Sequence, residues 1–220
     1  MTRLLEVCDL YRFYHAGEEE TLALRGVSLS AEPGELIAVV GPSGSGKSTL
    51  LACIAGLDEP DGGVVRVAGE RVSRRSERER AAIRARSIGV LFQSGNLFAH
   101  LDVTANVTLA QRLAGTVDRD LSRAIVGRVG LAARAHALPT QLSGGELARA
   151  GLAVAIANDP PLLLADEPTG ELDGATAQAI IQLLRERAAT GCTVLAVTHN
   201  RRLAGAADRV VELADGRVAA

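Results

Sequence analysis

The sequence predicts a single α/β domain with a mainly parallel sheet, and three features support this prediction. A short apolar strand at 36–40 runs into a glycine-rich loop and then into a helical segment. Further apolar strands at 88–92, 162–165 and 193–198 are separated by stretches with helical spacing. Strands and helices that alternate in this way form parallel sheets. The 220 residues suffice for one core, or for one core with a small appended subdomain.

The N-terminal part of the chain is predicted to form a small antiparallel β subdomain. Residues 3–8 and 24–30 alternate apolar and polar side chains, as strands do. A turn at 32–35 precedes the 36–40 strand, and residues 64–67 form another short strand after the loop. Because these strands flank the glycine-rich loop on both sides, we expect them to wrap around it.

The glycine-rich loop fits the phosphate-binding pattern G-x-x-x-x-G-K-S/T at every fixed position. Its residues are Gly41, Pro42, Ser43, Gly44, Ser45, Gly46, Lys47, Ser48 and Thr49. Glycines allow backbone N–H groups to converge on phosphate oxygens, and the following helix adds its positive end. Lys47, the only lysine in the chain, can reach the β- and γ-phosphates, and the Ser48 hydroxyl can bind Mg²⁺. The flanking strand and helix argue against a merely flexible surface loop, so the sequence predicts a nucleotide-binding protein.

Residues 71–86 contain seven arginines, a density that suggests nucleic acid or lipid headgroups as partners. Glutamates are interleaved with these arginines, however, and no aromatic residue accompanies them. Ser76 and Glu79 also match a capping box that opens a helix. The whole chain has a net charge of -2. These features favour a solvated helix face, and we expect no nucleic-acid partner.

The middle of the chain, residues 94–154, is predicted to form an inserted helical subdomain. Gln93 ends the preceding strand, and residues 102–137 are rich in Ala, Leu and Val at helical spacing. Pro139 interrupts this pattern before the Leu-Ser-Gly-Gly segment at 142–145.

The last part of the chain returns to alternating strands and helices. Asp166 and Glu167 follow one apolar strand, His199 follows the next, and Asp173 is placed to cap the helix between them. Residues 210–218 are predicted to form a terminal hairpin. Open α/β sheets bind ligands at the carboxyl ends of their strands, so we expect these polar residues near the phosphate-binding loop.

The Asp166-Glu167 pair has the chemistry needed to hydrolyse a nucleotide. Asp166 can hold Mg²⁺ through water, and Glu167 can accept a proton from the water that attacks the γ-phosphate. An ordinary helix cap is the alternative for one such pair and would be preferred if the pair stood alone. Its occurrence with Lys47 and Ser48 in one chain favours the catalytic interpretation.

The cysteines and the hydropathy of the chain predict a cytosolic protein. Cys8, Cys53 and Cys192 are isolated and lie in apolar or strand-like stretches, so we expect reduced, buried thiols. The N-terminus has no signal-peptide architecture, and no apolar run approaches the ~20 residues that cross a bilayer. If the protein works at a membrane, we expect another chain to carry it there.

The segment Leu142-Ser143-Gly144-Gly145-Glu146 resembles the signature motif of the ATP-binding-cassette (ABC) ATPases. The other motifs of that family follow in order along essentially the whole chain. Gln93 resembles the Q-loop glutamine, and Glu171-Leu172-Asp173 resembles the D-loop. His199 resembles the switch histidine, and Tyr14 resembles the aromatic residue that stacks on adenine.

The resemblance implies a P-loop NTPase fold with a RecA-like core. Residues 1–220 would form one ABC nucleotide-binding domain. Within it, residues 1–93 and 155–220 would make the RecA-like core with its antiparallel β subdomain. Residues 94–154 would make the helical subdomain that carries the signature motif.

The resemblance also implies ATP and Mg²⁺ as cofactors and gives the site residues their roles. The implied Mg²⁺ residues are Ser48, Gln93 and Asp166. The implied catalytic residues are Lys47, Gln93, Glu167 and His199. Among these, Glu167 would be the general base, and His199 would hold the γ-phosphate and the attacking water. Tyr14 would receive adenine, with Tyr11 as the less favoured candidate.

In this family the signature motif of one subunit closes over the ATP that another subunit holds. Ser143 and Gly145 would therefore contact the γ-phosphate in trans, and Gly144 and Asp173 belong to the same implied nucleotide-binding set. A Ser-Gly-Gly loop at a helix N-terminus is a second anion cradle, which agrees with this role. We therefore expect a head-to-tail dimer with a second nucleotide-binding subunit, and a homodimer is the preferred arrangement.

Residues 164–170 and 16–20 resemble most closely the MacB/LolD-type subfamily, which serves lipoprotein release, macrolide and peptide export, and cell division. These ATPases work with permeases that have few membrane helices and large extracytoplasmic domains. The resemblance thus implies a separate integral-membrane permease as partner and a peripheral location on the cytoplasmic face of the cell membrane.

Two other functions stay open at this point. A soluble ABC ATPase could act in DNA repair or translation without a permease, but such proteins usually carry a long coiled coil or two tandem cassettes, and neither is present. A nucleotide-sensing module that hydrolyses poorly is the other alternative, and the presence of Glu167 and His199 argues against it.

Overall fold

The computed structural model describes residues 3–16, 19–170 and 172–219. Its strands are β1 (Leu5–Ala16), β2 (Glu19–Ala31), β3 (Leu36–Val40), β4 (Gly62–Val67), β5 (Glu70–Arg71), β6 (Ile88–Leu91), β7 (Leu162–Asp166), β8 (Thr193–Val197), β9 (Arg209–Ala214) and β10 (Arg217–Val218). Its helices are α1 (Lys47–Ile54), α2 (Glu77–Ser87), α3 (Val103–Ala114), α4 (Arg119–Arg128), α5 (Gly144–Ala155), α6 (Gly174–Ala189) and α7 (Arg201–Ala206).

The strands form two sheets. The larger sheet has the order β10-β9-β3-β8-β7-β6, and every pair in it is parallel except the β9–β10 hairpin. The smaller sheet has the order β2-β1-β4-β5 and is antiparallel. The mainly parallel sheet, the N-terminal antiparallel sheet and the terminal hairpin all agree with the sequence-based prediction.

The first hairpin is longer than its apolar pattern indicates. The alternation covers only residues 3–8 and 24–30, whereas β1 and β2 stay paired as far as Ala16 opposite Glu19, and Tyr14 lies opposite Thr21. This extension is held by backbone hydrogen bonds, which carry no hydrophobic pattern in the sequence. It brings Tyr14 to the side of the phosphate-binding loop.

The larger sheet is buried on both faces, which explains why its strands are continuous apolar runs. Leu162 and Leu164 belong to a core shared with the smaller sheet and α1. Leu163 and Ala165 belong to a second core shared with α3, α4, α5 and α6. Consecutive residues of one strand thus pack into different cores, as the two-residue period of a strand requires.

The middle of the chain is helical, as its spacing predicts. Helix α3 packs against α4 and α5, and Asp102 caps α3 by accepting a hydrogen bond from the Ala105 N–H at 2.7 Å. Pro139 opens a short 3₁₀ turn, Pro139–Gln141, just before α5. The proposed limits of the helical subdomain at 94 and 154 stay a prediction.

The arginine-rich segment forms the solvated helix α2 that the capping box predicts. The Ser76 hydroxyl accepts from the Glu79 N–H, and the Glu79 carboxylate accepts from the Ser76 N–H. Arg80 pairs with Glu59 at 2.9 Å, and Arg84 pairs with Glu77 at 2.6 Å. Arg75 and Arg86 pair likewise with Glu79 and Glu70, so these four arginines bind carboxylates of the same molecule.

Two of the three cysteines are buried, as expected. Burial raises the pKa of the Cys53 thiol to about 12, so it stays protonated at neutral pH, and Cys192 is buried as well. The prediction was wrong for Cys8, which is exposed. Cys8 follows the buried Val7 on β1 and therefore points to the other face of the strand. Within the described ranges, no helix combines the length and the hydropathy that crossing a membrane requires.

Candidate functional site

Four neighbouring strands of the larger sheet deliver the candidate site residues to one edge. The strands β3, β8, β7 and β6 are adjacent, and all four are parallel. The phosphate-binding loop follows β3, His199 follows β8, and Gln93 follows β6. Asp166 is the last residue of β7, and Glu167 comes directly after it. Because parallel strands end on the same side of a sheet, these residues meet in space although they are far apart in sequence.

A cleft of about 780 Å³ lies at this edge. It is lined by most of the residues that the sequence singles out, namely Tyr14, Gly41, Pro42, Ser43, Gly44, Gly46, Lys47, Ser48, Thr49, Gln93, Asp166, Glu167 and His199. It is also lined by residues that the sequence reasoning missed, among them Thr21, Ala23, Arg25, Asp215 and Gly216. These reach the cleft through the hairpins β1–β2 and β9–β10, and no motif marks them.

Two glycines of the loop are required by close backbone packing. A Cβ atom on Gly41 would lie 2.0 Å from the Leu213 carbonyl oxygen, and one on Gly46 would lie 2.4 Å from that of Ala23. Both glycines have positive φ, at 151° and 97°. The loop is therefore pressed against β9 and β2, and its inner side is left to the cleft.

The loop is positively polarised. Helix α1 begins at Lys47, and its first turn contains no acidic residue, so no carboxylate of the helix itself offsets its positive end. The Lys47 Nζ atom donates to the carbonyl oxygens of Gly41 at 2.9 Å and Pro42 at 2.7 Å. These two bonds place the ammonium group beside the loop, and the arrangement is suited to an anion.

Ser48 and Asp166 lie together on the floor of the cleft. The Ser48 hydroxyl donates to the Asp166 Oδ1 atom at 3.3 Å. Burial raises the pKa of Asp166, and the charge of Glu167 adds to this, while Ser48 and Lys47 partly oppose it. A hydroxyl and an under-compensated carboxylate are hard oxygen donors, which fit Mg²⁺.

Glu167 is held in place by the residue that follows β8. The His199 Nδ1 atom lies 2.8 Å from Glu167 Oε1, and the His199 N–H donates to Oε2 at 3.3 Å. Glu167 has φ of 45°, in the left-handed region that non-glycine residues seldom adopt. Such a conformation costs about 1–3 kcal/mol and is typical of functional residues. Here it turns the carboxylate out of the strand and into the cleft.

Tyr14 lines the cleft and is anchored by residues that no motif indicates. Its hydroxyl donates to Asp58 at 2.6 Å, and the guanidinium carbon of Arg12 lies 4.7 Å from its ring centroid. Asp58 follows α1 and is 44 residues from Tyr14 in sequence. Only the packing of β1 beside the end of α1 brings the two together.

The implied signature residues lie outside the cleft. The Ser143 hydroxyl caps α5 by accepting from the Glu146 N–H at 3.3 Å, and the Glu146 carboxylate accepts from the Ser143 N–H at 2.8 Å. A Cβ atom added to Gly144 would have no neighbouring atom within 4 Å, whereas one added to Gly145 would meet Thr176. Like Ser143, Gly144 and Gly145, Asp173 does not line the cleft.

Asp173 and Asn200 each act as a helix cap. Asp173 accepts from the N–H groups of Ala175 and Thr176, both at 3.0 Å, as the sequence predicts for the start of α6. Asn200 accepts from the Arg202 N–H at 2.9 Å and so caps α7. Glu171, the first residue of the D-loop-like segment, lies outside the described residues.

Ser45 is the one loop residue whose side chain turns away from the cleft. Its side chain is buried, and within the described part of the chain its hydroxyl has no hydrogen-bond partner. Its carbonyl oxygen accepts from the Gly216 N–H at 3.2 Å. Ser45 therefore fixes the loop to the β9–β10 hairpin.

Fold and site together define a class of protein. A parallel sheet, a phosphate-binding loop after one strand and an Asp-Glu pair after another are the features of a P-loop NTPase.

Comparison with known proteins specifies this class further. The ABC transporter family matches residues 24–170 of the chain, so the chain belongs to the ABC transporter family. The lipoprotein-releasing system ATP-binding protein LolD of Maricaulis maris is 43% identical, over 98% of this chain and 96% of that protein. An uncharacterized ABC transporter ATP-binding protein of Thermotoga maritima is 42% identical, over 99% and 94%.

The chain is also similar to part of a larger protein and to solved cassettes. The macrolide export ATP-binding/permease protein MacB of Hyphomonas neptunium is 40% identical, and the chain spans 34% of its length. A solved dimeric ATP-binding cassette, described as a post-hydrolysis state bound to ADP and Pi, superposes with a TM-score of 0.91 at 36% identity. That match covers 98% of this chain and 97% of the other.

These findings confirm the predicted fold class and the resemblance to MacB and LolD. The protein is an ABC ATPase and an ATP-binding subunit of an ABC transporter, and the non-transport alternative is not favoured.

Proposed function

We propose that the chain hydrolyses Mg²⁺-bound ATP in the cleft, with the residue roles that the family resemblance implies. The observation that carries this proposal is the convergence of two pairs at one edge of the sheet, Ser48 with Asp166 and Glu167 with His199. Lys47 and the loop backbone bind the phosphates, while Ser48, Asp166 and Gln93 hold the metal ion. Mg²⁺, when bound, neutralises charge that develops on the phosphate oxygens.

Glu167 acts as the general base in this proposal, and His199 orients it. The imidazole Nδ1 atom faces Glu167, which leaves Nε2 as the ring nitrogen available to the γ-phosphate. The positive φ of Glu167 directs its carboxylate to the cleft, where the attacking water would lie.

We also propose that the working unit is a head-to-tail dimer in which Ser143, Gly144 and Gly145 cover the ATP of the partner. The support is that these residues lie outside the cleft of their own chain, at the N-terminus of α5. The Ser143 hydroxyl accepts from the Glu146 N–H and also lies against the Glu146 carboxylate, and in the proposed dimer it would donate its proton to a phosphate oxygen instead. The similar solved cassette described above is dimeric.

The proposed partner in the membrane is a separate permease. In MacB, the ATP-binding part and the permease belong to one protein, and this chain spans about a third of such a protein. Phe92 and Phe98 follow the end of β6 and are exposed by 44% and 55%, and they are the proposed contact with the permease. The protein would then lie on the cytoplasmic face of the membrane, where it powers lipoprotein release, export or a step of cell division.

Replacing the general base tests the proposed chemistry. The Glu167→Gln variant should lose about 10²–10⁴-fold of its turnover, because the amide cannot accept the proton of water. ATP binding should persist, and ATP should now shift the variant to a dimer in size-exclusion chromatography with light scattering. Wild-type turnover measured by phosphate release is the control, and normal turnover of the variant would contradict the assignment of Glu167.

The same variant tests the partner. Tagged Glu167→Gln protein with ATP should retain a stoichiometric membrane protein with few spanning helices when it is purified from detergent-solubilised membranes. If a permease with many helices is retained instead, the MacB/LolD-like role is wrong. If only the cassette is recovered, transport through a separate permease is contradicted.

A further inference from the structure

Four side chains form a compact polar cluster beside the cleft, and no motif accounts for three of them. Arg12 and Tyr14 lie near the end of β1, and Asp58 and Asp61 lie in the segment between α1 and β4. We refer to these four residues as the Tyr14 cluster. Its members join the first hairpin to the helix that begins at the phosphate-binding loop.

Arg12 is the centre of this cluster. Its guanidinium binds Asp58 through two atoms, Nε at 2.9 Å from Oδ2 and Nη2 at 2.8 Å from Oδ1. It also donates to Asp61 at 3.1 Å, and Asp61 in turn accepts from the Phe13 N–H at 2.8 Å. Two-point binding of a planar guanidinium by a carboxylate fixes orientation as well as distance.

Tyr14 is held by two members of the cluster at once. Its hydroxyl donates to Asp58 at 2.6 Å, and its ring lies against the Arg12 guanidinium at 4.7 Å. Tyr14 lines the cleft, whereas Arg12 does not. Arg12 therefore supports the ring from outside the cleft, and the ring is what a ligand in the cleft can contact.

The ionisation of the two partners agrees with this arrangement. Partial burial alone would raise the pKa of Asp58, but the hydrogen bonds from Tyr14 and Arg12 outweigh it, and the pKa is lowered. Burial and the hydrogen bond to Asp58 both raise the pKa of the Tyr14 phenol. At neutral pH the cluster thus contains a carboxylate and a neutral phenol, which is the donor and acceptor pair that the geometry needs.

We propose that Arg12 and Asp58 are positioning residues that hold the Tyr14 ring as a pre-formed wall for the nucleotide base. This inference rests on the proposed function, in which Tyr14 receives adenine. Asp58 lies four residues beyond the end of α1 at Ile54, so the base wall and the phosphate-binding loop are attached to the same helix. The distance between the base subsite and the phosphate subsite is thereby fixed.

Pre-organisation gives this arrangement a measurable effect on affinity. A free tyrosine side chain on an open hairpin would have to be immobilised when the base binds, and each immobilised side chain weakens binding by about 3- to 10-fold. Removing the hydrogen bond between Tyr14 and Asp58 should weaken the binding of ligands that have a base. It should not affect ligands that have only phosphates.

The test compares Asp58→Asn and Tyr14→Phe with the wild-type protein. Binding of ADP and of inorganic tripolyphosphate, each with Mg²⁺, is measured by isothermal titration calorimetry. Both variants should bind ADP about 3- to 10-fold more weakly and tripolyphosphate unchanged. Tyr11→Phe is the matched control, because Tyr11 is on the same strand and equally exposed at 40% but outside the cluster. It should leave both affinities unchanged.

A spectroscopic readout separates positioning from a general loss of structure. The protein has two tyrosines and no tryptophan, so phenolate absorbance reports Tyr11 and Tyr14 alone, and Tyr14→Phe identifies the Tyr14 signal. Asp58→Asn should lower the pKa of the Tyr14 phenol towards its ordinary value, because the carboxylate that raises it is gone. An unchanged pKa of the Tyr14 phenol in Asp58→Asn would overturn the proposed positioning role of Asp58.

The Tyr14→Ala variant separates failure of this inference from failure of the proposed function. If Tyr14→Ala binds ADP like wild type, then Tyr14 does not receive the base, and both statements are wrong. If Tyr14→Ala weakens ADP binding while Asp58→Asn and Tyr14→Phe do not, only the positioning role is overturned. An equal loss of ADP and tripolyphosphate in Asp58→Asn would also overturn it, because the effect would then pass through the phosphate-binding loop.

Discussion

At the scale of single residues, Asp166 and Glu167 are neighbours in sequence with different surroundings. Asp166 is the last residue of β7, half-buried beside Ser48, and burial raises its pKa. Glu167 leaves the strand with a positive φ and is bound by His199. A buried carboxylate that lacks a full counter-charge is costly for the folded protein and favourable for a cation, which is the trade-off expected of a metal ligand.

We predict that Asp166→Asn stabilises the protein in the absence of nucleotide and Mg²⁺. The pKa of Asp166 is higher in the folded than in the unfolded state, so the folded state binds more protons, and stability falls as pH rises through this range. The cost of burying the ionised Asp166 carboxylate is therefore fully present at neutral pH, and the uncharged amide of Asn removes it. The melting temperature at pH 7 should rise, and its decrease between acidic and neutral pH should become smaller.

Asp173→Ala is the control, and its effect on the melting temperature should have the opposite sign. Hydrogen bonds from the Thr176 side chain and backbone lower the pKa of Asp173, so its contribution to stability is present at neutral pH and is lost as pH falls. This variant should melt at a lower temperature than wild type at pH 7. A lower melting temperature for Asp166→Asn as well would show that Asp166 supports the fold.

At the scale of elements, helices α5 and α6 determine where the signature motif lies. Both begin with a side-chain cap, Ser143 on α5 and Asp173 on α6. The first turn of α5 packs on the first turn of α6 where Gly145 meets Thr176. A Cβ atom on Gly145 would lie 2.4 Å from the Thr176 methyl carbon, which is closer than packed atoms approach. The glycine is thus required by the helix contact, independently of any contact with nucleotide.

We predict that Gly145→Ala destabilises the protein by about 1–3 kcal/mol through this overpacking. Gly144→Ala, one residue earlier, adds a Cβ atom that would have no neighbour within 4 Å. It should therefore change stability by less than about 0.5 kcal/mol. Adding Thr176→Ser to Gly145→Ala should restore most of the stability, since it removes the clashing methyl and keeps the hydroxyl that donates to Asp173 at 2.7 Å. Denaturant unfolding measures all three variants, and a Gly145→Ala variant as stable as Gly144→Ala would contradict the overpacking.

At the scale of the whole molecule, the cleft contains the phosphate-binding half of the proposed site but not the signature motif. Four adjacent parallel strands bring Gln93, Asp166, Glu167 and His199 to the loop. Ser143 lies at the start of α5 and does not line the cleft. In a two-fold dimer the same two surfaces meet twice, so two complete sites form together.

Mixing two inactive variants tests the composite site. Lys47→Ala removes the loop ammonium, and Ser143→Arg blocks the signature surface, so each variant alone should be inactive. An equal mixture should recover about a quarter of the wild-type turnover, because half of random dimers are mixed and one of their two sites is intact. No recovery in a mixture that forms mixed dimers would contradict a site built from two chains.

Features that depend on contiguous residues can be predicted from the sequence alone. A phosphate-binding loop is a local backbone structure, so Gly41 to Thr49 identify it without the rest of the chain. Helix caps are equally local, which is why Ser76 and Asp173 were predicted and found. Asp166 and His199 could be assigned to one edge of the sheet, because the carboxyl ends of parallel strands lie on the same side.

Contacts between residues that are distant in sequence become visible only in the folded chain. The contact of Tyr14 with Asp58, and that of Gly145 with Thr176, depends on how elements pack, and such packing has no period in sequence. The exposure of Cys8 depends on which face of β1 meets the core. The same cause acts in all three cases. Hydrophobic burial orients whole elements, and this orientation decides which side chains meet and which face solvent.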